Sequence, residues 1–366
     1  MSRVYLDHNA TTPLRAEARE AMLRAMDVVG NPSSVHAEGR AAKGLVEAAR
    51  AQVAALVGCL PTQVVFTGSA TEAAALAVAQ KERHGGDFAA LATEHDCFAA
   101  WSAVDLPSLH PVAGPVPETV DDLARGRLLA VSAANSETGI TFGGEVVASP
   151  EGGAVVCDIT QLAGKVAPRY PGGRKPAYMI LSAHKIGGPK GVGALINFTR
   201  DDPQPILRGG GQEMGRRSGT ENVIGIAGFG AAAEAARHDV ESGAWARVEK
   251  LRNILEESLE AASDVTIFVG KDSSRLPNTT CFATPGWKGE TQVMQMDLAG
   301  FAVSAGSACS SGKVRRSRVL EAMGYEEDVS SSAIRVSLGL DTTEDDVSRF
   351  CAAWIGKYKR HRDRAA

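Results

Sequence analysis

Several short stretches place reactive side chain types beside glycines that let the backbone turn sharply. Ser182-Ala183-His184-Lys185 closes the apolar run Tyr178–Ser182 and leads into Ile186-Gly187-Gly188-Pro189-Lys190-Gly191. A lysine at the end of a buried strand is partly desolvated, and such an amine can form a Schiff base. Ser182 and His184 beside it suit a phosphate, although a glycine-rich turn can also carry an incidental lysine. Ser304-Ala305-Gly306-Ser307-Ala308-Cys309-Ser310-Ser311-Gly312 surrounds one cysteine with small residues, and Lys313, Arg315 and Arg316 follow. An exposed thiol near cationic charge ionises readily and is nucleophilic, whereas core cysteines do not sit in Gly/Ser loops.

Other positions gain meaning from where they fall. Thr67-Gly68-Ser69-Ala70-Thr71-Glu72 reads as a strand-to-helix turn. Its Ser69 and Glu72 match a capping box, and the N–H groups of a first helical turn also bind phosphate. Asp158 ends the apolar run Ala154–Cys157, with Gln161 three residues on. A carboxylate there needs a partner to offset desolvation. A protonated ring nitrogen is one such partner, and a helix N-cap is the ordinary alternative. His95, in Thr93-Glu94-His95-Asp96, could stack on a flat ligand or serve the structure alone. Gly209–Glu213 and Arg216–Asn222 make a polar, glycine-rich loop.

The elements that must position these groups follow from periodicity. Apolar residues at Leu45, Val46, Ala49, Val53 and Leu56 predict an amphipathic helix over Arg40–Val57, closed by Gly58. Short apolar strands are expected at Val64–Thr67, Leu128–Ala133, Ala154–Cys157, Tyr178–Ser182 and Val192–Phe198. A helix following Ser69 should run through Ala79. Buried strands alternating with helical stretches predict an α/β domain with a mostly parallel sheet. Helices are expected over Val223–Arg237 and Ala244–Ala262. Beyond them, strands at Val265–Val269, Thr279–Ala283, Phe301–Ser304 and Ile334–Ser337 predict a smaller α+β domain, with a boundary near Asp239–Gly243.

Composition agrees with a globular chain. The 366 residues are 44% hydrophobic and 22% charged, which excludes disordered, collagen-like and disulfide-stapled classes. A net charge of −4 gives no reason to expect nucleic acid or an anionic membrane as a partner. There is no apolar span of bilayer length, no CxxC, no zinc-ligand spacing and no nucleotide-binding GxxxxGK[ST]. The start MSRVYLDHNATT lacks an apolar signal region, so a cytoplasmic protein with reduced thiols is expected. Cys59, Cys157, Cys281 and Cys351 sit among apolar neighbours and read as structural.

Taken in order, these motifs resemble the cysteine desulfurases of the NifS/IscS type. The matching positions are Tyr5–Pro13, Gly30–His36, Thr93-Glu94-His95, Asp158 with Gln161, Ser182-x-His184-Lys185-x-x-Gly188-Pro189-Lys190-Gly191, Gly209–Glu213 with Arg217–Asn222, and Gly306-Ser307-Ala308-Cys309. The resemblance covers Val4 to about Val347. It implies a fold-type I enzyme of the class V aminotransferase family that uses pyridoxal 5'-phosphate. A large domain over 15–243 and a small one from 1–14 with 244–366 are then expected, in a homodimer.

The resemblance implies roles residue by residue. Lys185 would hold the cofactor and shuttle the substrate Cα proton. Asp158 would pair with the ring nitrogen, Gln161 with the phenolic oxygen, and His95 would stack on the ring and assist proton transfer. Ala70, Thr71, Ser182 and His184 would bind the phosphate, joined by Thr220 from the partner subunit. Arg335 would clamp the substrate carboxylate, as a guanidinium suits. Cys309 would take the substrate sulfur as a persulfide for an acceptor such as an iron–sulfur scaffold, the only metal-related contact implied. The chain departs from the family pattern at Ser136, where a second asparagine is usual and where Asn135 would have to serve cofactor or substrate. It departs also at Gly68-Ser69, Ala73, Ala74 and Met214. Selenocysteine lyase or another class V enzyme, and a weakly active sulfur-relay partner, are the alternatives. Cys309 favours desulfuration, since transamination needs no such thiol.

Overall fold

The computed structural model describes residues 3–110, 119–306 and 316–365. The elements in chain order begin with β1 (Val4–Tyr5), α1 (Ala16–Met26), α2 (Ala37–Val57), β2 (Val64–Thr67) and α3 (Ala70–Val78). They continue with β3 (Asp87–Leu91), α4 (Asp96–Ala99), β4 (Asp105–Leu106), α5 (Val120–Ala124), β5 (Arg127–Ser132), β6 (Ala154–Asp158), β7 (Tyr178–Ser182) and β8 (Gly193–Asn197). After α6 (Val223–Glu241) and α7 (Trp245–Glu260) come β9 (Ile267–Phe268), β10 (Thr279–Ala283), α8 (Gly289–Leu298), β11 (Phe301–Ala302) and β12 (Ser304–Ala305). The last are α9 (Arg318–Ala322), α10 (Glu327–Ser330), β13 (Ala333–Ser337) and α11 (Glu344–Ala365).

Seven strands form the central sheet in the order β2-β8-β7-β6-β5-β3-β4. From β7 to β4 the pairs are parallel, while β8 runs antiparallel to both β2 and β7. Alternate residues serve opposite faces of this sheet. Phe66, Leu129 and Val131 join one core with α2 and α6, and Val65, Leu128 and Ala130 join another with α3. Apolar cover on both faces explains why these strands read as unbroken apolar runs rather than alternating ones. The α2 helix buries Val46, Ala49, Val53 and Leu56, and ends at Gly58, whose φ of 70° is easy only without a side chain.

A second sheet, β12-β13-β10-β9, is antiparallel throughout. It packs against α7, α8 and α11 through Leu251, Leu255, Met296, Phe350 and Trp354. The N-terminal strand joins this part: β1 pairs in parallel with β11, and Asp7 bridges to Ser337. The sequence expectation differs in detail. The α2 helix starts at Ala37, three residues before Arg40, because the His36 ring caps it by accepting the Gly39 N–H. The strand expected over Phe301–Ser304 is split into β11 and β12, which pair with different neighbours. Among the described residues no helix is long and apolar enough to cross a membrane.

Candidate active site

Register places three chain segments side by side at one edge of the central sheet. Gly193, at the start of β8, pairs with Thr67 at the end of β2 and with Ser182 at the end of β7. Ser132 and Asp158 are paired at the ends of β5 and β6. Each strand therefore hands its next residues to the same edge, where ligands bind in open α/β sheets. A cavity of about 540 Å³ lies there. Ala70, Thr71, His95, Ser136, Asp158, Gln161, Ser182, His184, Lys185 and Arg335 all line it. Asn135 and Thr220 do not, and Cys309 lies outside the described residues.

One end of the cavity is built for an anion. Ser69 caps α3 by accepting the Glu72 N–H at 3.1 Å, and Glu72 returns a bond to the Gly68 N–H at 2.7 Å. That cap leaves the N–H groups of Ala70 and Thr71 without acceptors inside the helix. Arg217 holds Glu72 at 2.9 Å and so ties the 209–222 loop to this helix start. The His184 Nδ1 lies 3.1 Å from the Thr11 hydroxyl. Burial and the nearby Lys185 and Lys190 push this imidazole down to about 4, so it is neutral at physiological pH. The turn lies against β8: a Cβ on Gly193 would stand 2.5 Å from the Ser69 carbonyl carbon and 2.7 Å from the Ala70 nitrogen. Only glycine permits this approach.

The other end carries a buried acid. Asp158 is 8% exposed and accepts the Thr160 N–H at 2.8 Å, with no ion pair among the described residues. Burial pushes its acid up, opposed by hydrogen bonding from Thr160 and by the charges of His95 and Lys185. His95 is the N-cap of α4, its Nδ1 accepting the Cys97 N–H at 3.1 Å. An accepting Nδ1 leaves the proton of the neutral ring on Nε2. Lys185, in the single turn after β7, donates to the carbonyls of Asn9 at 2.7 Å and Ala10 at 2.8 Å. Gln161 donates its amide N–H to the same Asn9 carbonyl at 2.9 Å.

Arg335 reaches the cavity from β13. It donates to Asp7 at 2.7 Å and to the Ser136 carbonyl at 2.9 Å, and its buried Nε has no partner. The second Asp7 oxygen accepts from Ser304 at 2.7 Å. Asn135 is spent on structure. Its amide donates to the Thr93 carbonyl and its oxygen accepts from the Glu137 and Thr138 N–H groups. The role suggested for it at cofactor or substrate thus has no support in its placement, whereas Ser136 lies on the cavity wall. Thr220 is exposed.

Several groups at the site carry no role in the sequence reading. Asp7 and Asn9 belong to the Tyr5–Pro13 motif, but only the fold brings them against Arg335, Lys185 and Gln161. Glu94 is buried behind His95 and accepts from both the N–H and hydroxyl of Ser132. Burial pushes its acid up to about 7. Lys165 stands behind Gln161, wholly enclosed. In sequence Glu94, between Thr93 and His95, carries no signal of its burial, whereas Lys165 follows Leu162-Ala163-Gly164 and precedes Val166-Ala167.

A helix start with free N–H groups, a half-buried strand-end lysine and a buried acid fit the phosphate, aldehyde and ring nitrogen of pyridoxal 5'-phosphate. Residues 4–350 match the family Aminotransferase class-V. A cysteine desulfurase of Cereibacter sphaeroides is 38% identical, over 95% of this chain and 94% of that protein. One from Klebsiella pneumoniae is 36% identical, over 95% and 90%. The solved structure of a NifS-like protein from Rickettsia africae superposes with a TM-score of 0.85 at 30% identity, over 98% of this chain and 99% of that one. The fold is therefore that of a fold-type I enzyme, with pyridoxal phosphate as its cofactor. The chain belongs to the class V aminotransferase family, in its cysteine desulfurase branch.

Proposed function

We propose that the protein converts L-cysteine to L-alanine and carries the released sulfur on Cys309 as a persulfide for transfer to an acceptor. The state of the other cysteines carries this reading. Cys97, Cys157, Cys281 and Cys351 are buried and Cys59 is half-buried. Burial pushes every one of these thiols up, Cys59 to about 12 and Cys351 to about 11. None is a ready thiolate, so the nucleophile falls to Cys309. Ala305 and Gly306 line the cavity, and the chain passes from its wall directly into the stretch that holds Cys309.

Bound pyridoxal phosphate supplies the electron sink that lets the substrate Cα lose a proton. The protein's own groups do the rest. Lys185 holds the cofactor and moves the proton. Asp158 would pair with the ring nitrogen and favour its charged form, Gln161 would donate to the ring oxygen and His95 would stack on the ring. Ala70, Thr71, Ser182 and His184 hold the phosphate, while Arg335 receives the substrate carboxylate. Thr220, exposed on its own chain, is assigned to the partner's phosphate end in a homodimer. The large unit is taken as 15–243 and the small one as 1–14 with 244–366. The role assigned is cytoplasmic, with an iron–sulfur scaffold or a similar sulfur acceptor as partner, as the resemblance to the cysteine desulfurases implies.

The test uses the purified holoenzyme with L-cysteine, measuring alanine and transferred sulfide for the native protein and Cys309→Ala. The variant should keep the visible cofactor band and lose sulfur transfer. A native protein without that band, or a variant that transfers sulfide equally well, refutes the proposal.

A further inference from the structure

Lys165 is 5% exposed and forms no ion pair among the described residues. An enclosed amine without a carboxylate costs stability, so what it does there needs explaining. Among the described residues its hydrogen bonds go to one residue: Nζ donates to the Gln161 carbonyl at 2.9 Å and to Gln161 Oε1 at 3.1 Å. The charged groups that act on Lys165 are Lys185 and Arg335, and His8 in turn feels its charge. Burial first, and then the two cations, push the amine down to about 7.

The geometry at Gln161 has one consistent orientation. A carboxamide can be turned end for end, exchanging its oxygen and nitrogen. Here a donor lies on one side, the Lys165 amine, and an acceptor-only group on the other, the Asn9 carbonyl. Oε1 must therefore face Lys165 and Nε2 must face Asn9. Nε2 carries a second N–H, and Gln161 lines the cavity. The Asn9 carbonyl that receives Gln161 also receives Lys185, so the lysine, the amide and the enclosed amine form one connected set.

We propose that Lys165 is a positioning residue: by holding both oxygens of Gln161 it keeps the Gln161 amide N–H turned toward the cavity as a donor to an oxygen of the bound cofactor. The inference rests on the assignment of Gln161 to the ring oxygen. Without Lys165, Oε1 would be buried with no donor, and the amide would gain by turning or withdrawing.

The test titrates the visible band of the holoenzyme with pH, for Gln161→Ala, Lys165→Met and the double variant. Losing an N–H donor to an anionic oxygen makes the chromophore hold its proton more tightly, so the midpoint should rise. Gln161→Ala and Lys165→Met should each raise the proton affinity roughly 2- to 10-fold, the worth of one hydrogen bond. In the Gln161→Ala background, Lys165→Met should add nothing. An unmoved midpoint in folded Lys165→Met overturns the proposal, and so does an equal shift in both backgrounds, which would mean direct action of the charge. An unmoved midpoint in Gln161→Ala instead refutes the underlying assignment of Gln161. Should Lys165→Met not yield folded holoenzyme, Lys165→Gln is read against Lys165→Ala. A native midpoint with the N–H donor and a raised one without it support the proposal, and equal shifts overturn it.

Discussion

Gly193→Ala tests whether the start of β8 is the rigid seat of the cofactor's phosphate. The added methyl would stand 2.5 Å from the Ser69 carbonyl carbon, 2.7 Å from the Ala70 nitrogen and 2.9 Å from the Leu181 oxygen. All three are backbone atoms, and two of the strands involved are locked to β8 by their ladders. Contacts that close essentially never occur below 3.0 Å, so the Ser69–Ala70 turn must retreat by at least ~0.5 Å. A retreat of that size stretches the N–H groups of Ala70 and Thr71 away from the phosphate. Losing one hydrogen bond to a charged group costs about 1.5–3 kcal/mol, or roughly 10- to 100-fold in affinity. Overpacking adds about 1–3 kcal/mol of lost stability. Cofactor dissociation constants from absorbance titration, with melting curves of the cofactor-free protein, separate the two effects. Gly230→Ala is the control. Its Cβ would meet Ala49 at 2.5 Å in the α2–α6 contact, so it should lower stability and leave cofactor affinity alone. Native cofactor affinity in Gly193→Ala, or an equal loss in Gly230→Ala, would show that the turn is not held for the phosphate.

Asp158→Asn should raise the melting temperature of the cofactor-free protein while weakening cofactor binding and activity. Burial raises the folded-state acid, so its stabilising contribution is present at low pH and lost as pH rises through the raised value. A variant no more stable than native at pH 8 would contradict this. Glu137 behaves in the same sense: its Oε1 is buried without a partner, and burial lifts its acid from 4.5 to about 7, against the pull of Ser317, Arg335 and Arg318. Glu137→Gln should match the native protein near pH 4.5 and exceed it by up to about 3 kcal/mol above pH 7 in denaturant unfolding. Parallel native and variant curves across that range would refute the assignment. Arg335→Lys loses the paired donors that now serve Asp7 and Ser136. It should raise the KM for L-cysteine roughly 10- to 100-fold with a smaller effect on kcat, as steady-state kinetics would register.

The strands were legible because both faces of the central sheet are covered. In that sheet Val64–Thr67 is apolar or β-branched along its whole length and Tyr178–Ser182 is apolar up to its last residue, so both runs stand out from their surroundings. The antiparallel turn of β8 was not legible, since burial on two faces leaves no periodicity that encodes direction. It matters greatly, because reversal brings the start of β8, not its end, beside Thr67 and Ser182. Site residues on loops after strands could be read from their company of glycines, as Lys185 shows. Residues that act from behind could not. Glu94, Lys165 and Asp7 look in sequence like ordinary charges, and only enclosure gives them meaning.

That division has a physical cause which bears on how the site works. Some of the groups assigned to the ligand, such as Lys185 and the Ser69–Thr71 turn, sit on tight turns that glycine or serine marks in the sequence. Groups that orient them need only a low-dielectric setting, which side chains distant in sequence create. The Asn9 carbonyl collects Lys185 and Gln161 although the N-terminal segment lies more than 150 positions away from both. Asp7 likewise meets Arg335 across 328 positions. The Val4–Ala10 segment is bonded to β11 and β13 on one side and to the lysine turn on the other. It therefore ties β11 and β13 to the lysine, the amide and the arginine. A change that loosens β1 from β11 should disturb all three together, even though none of the three lies on β1.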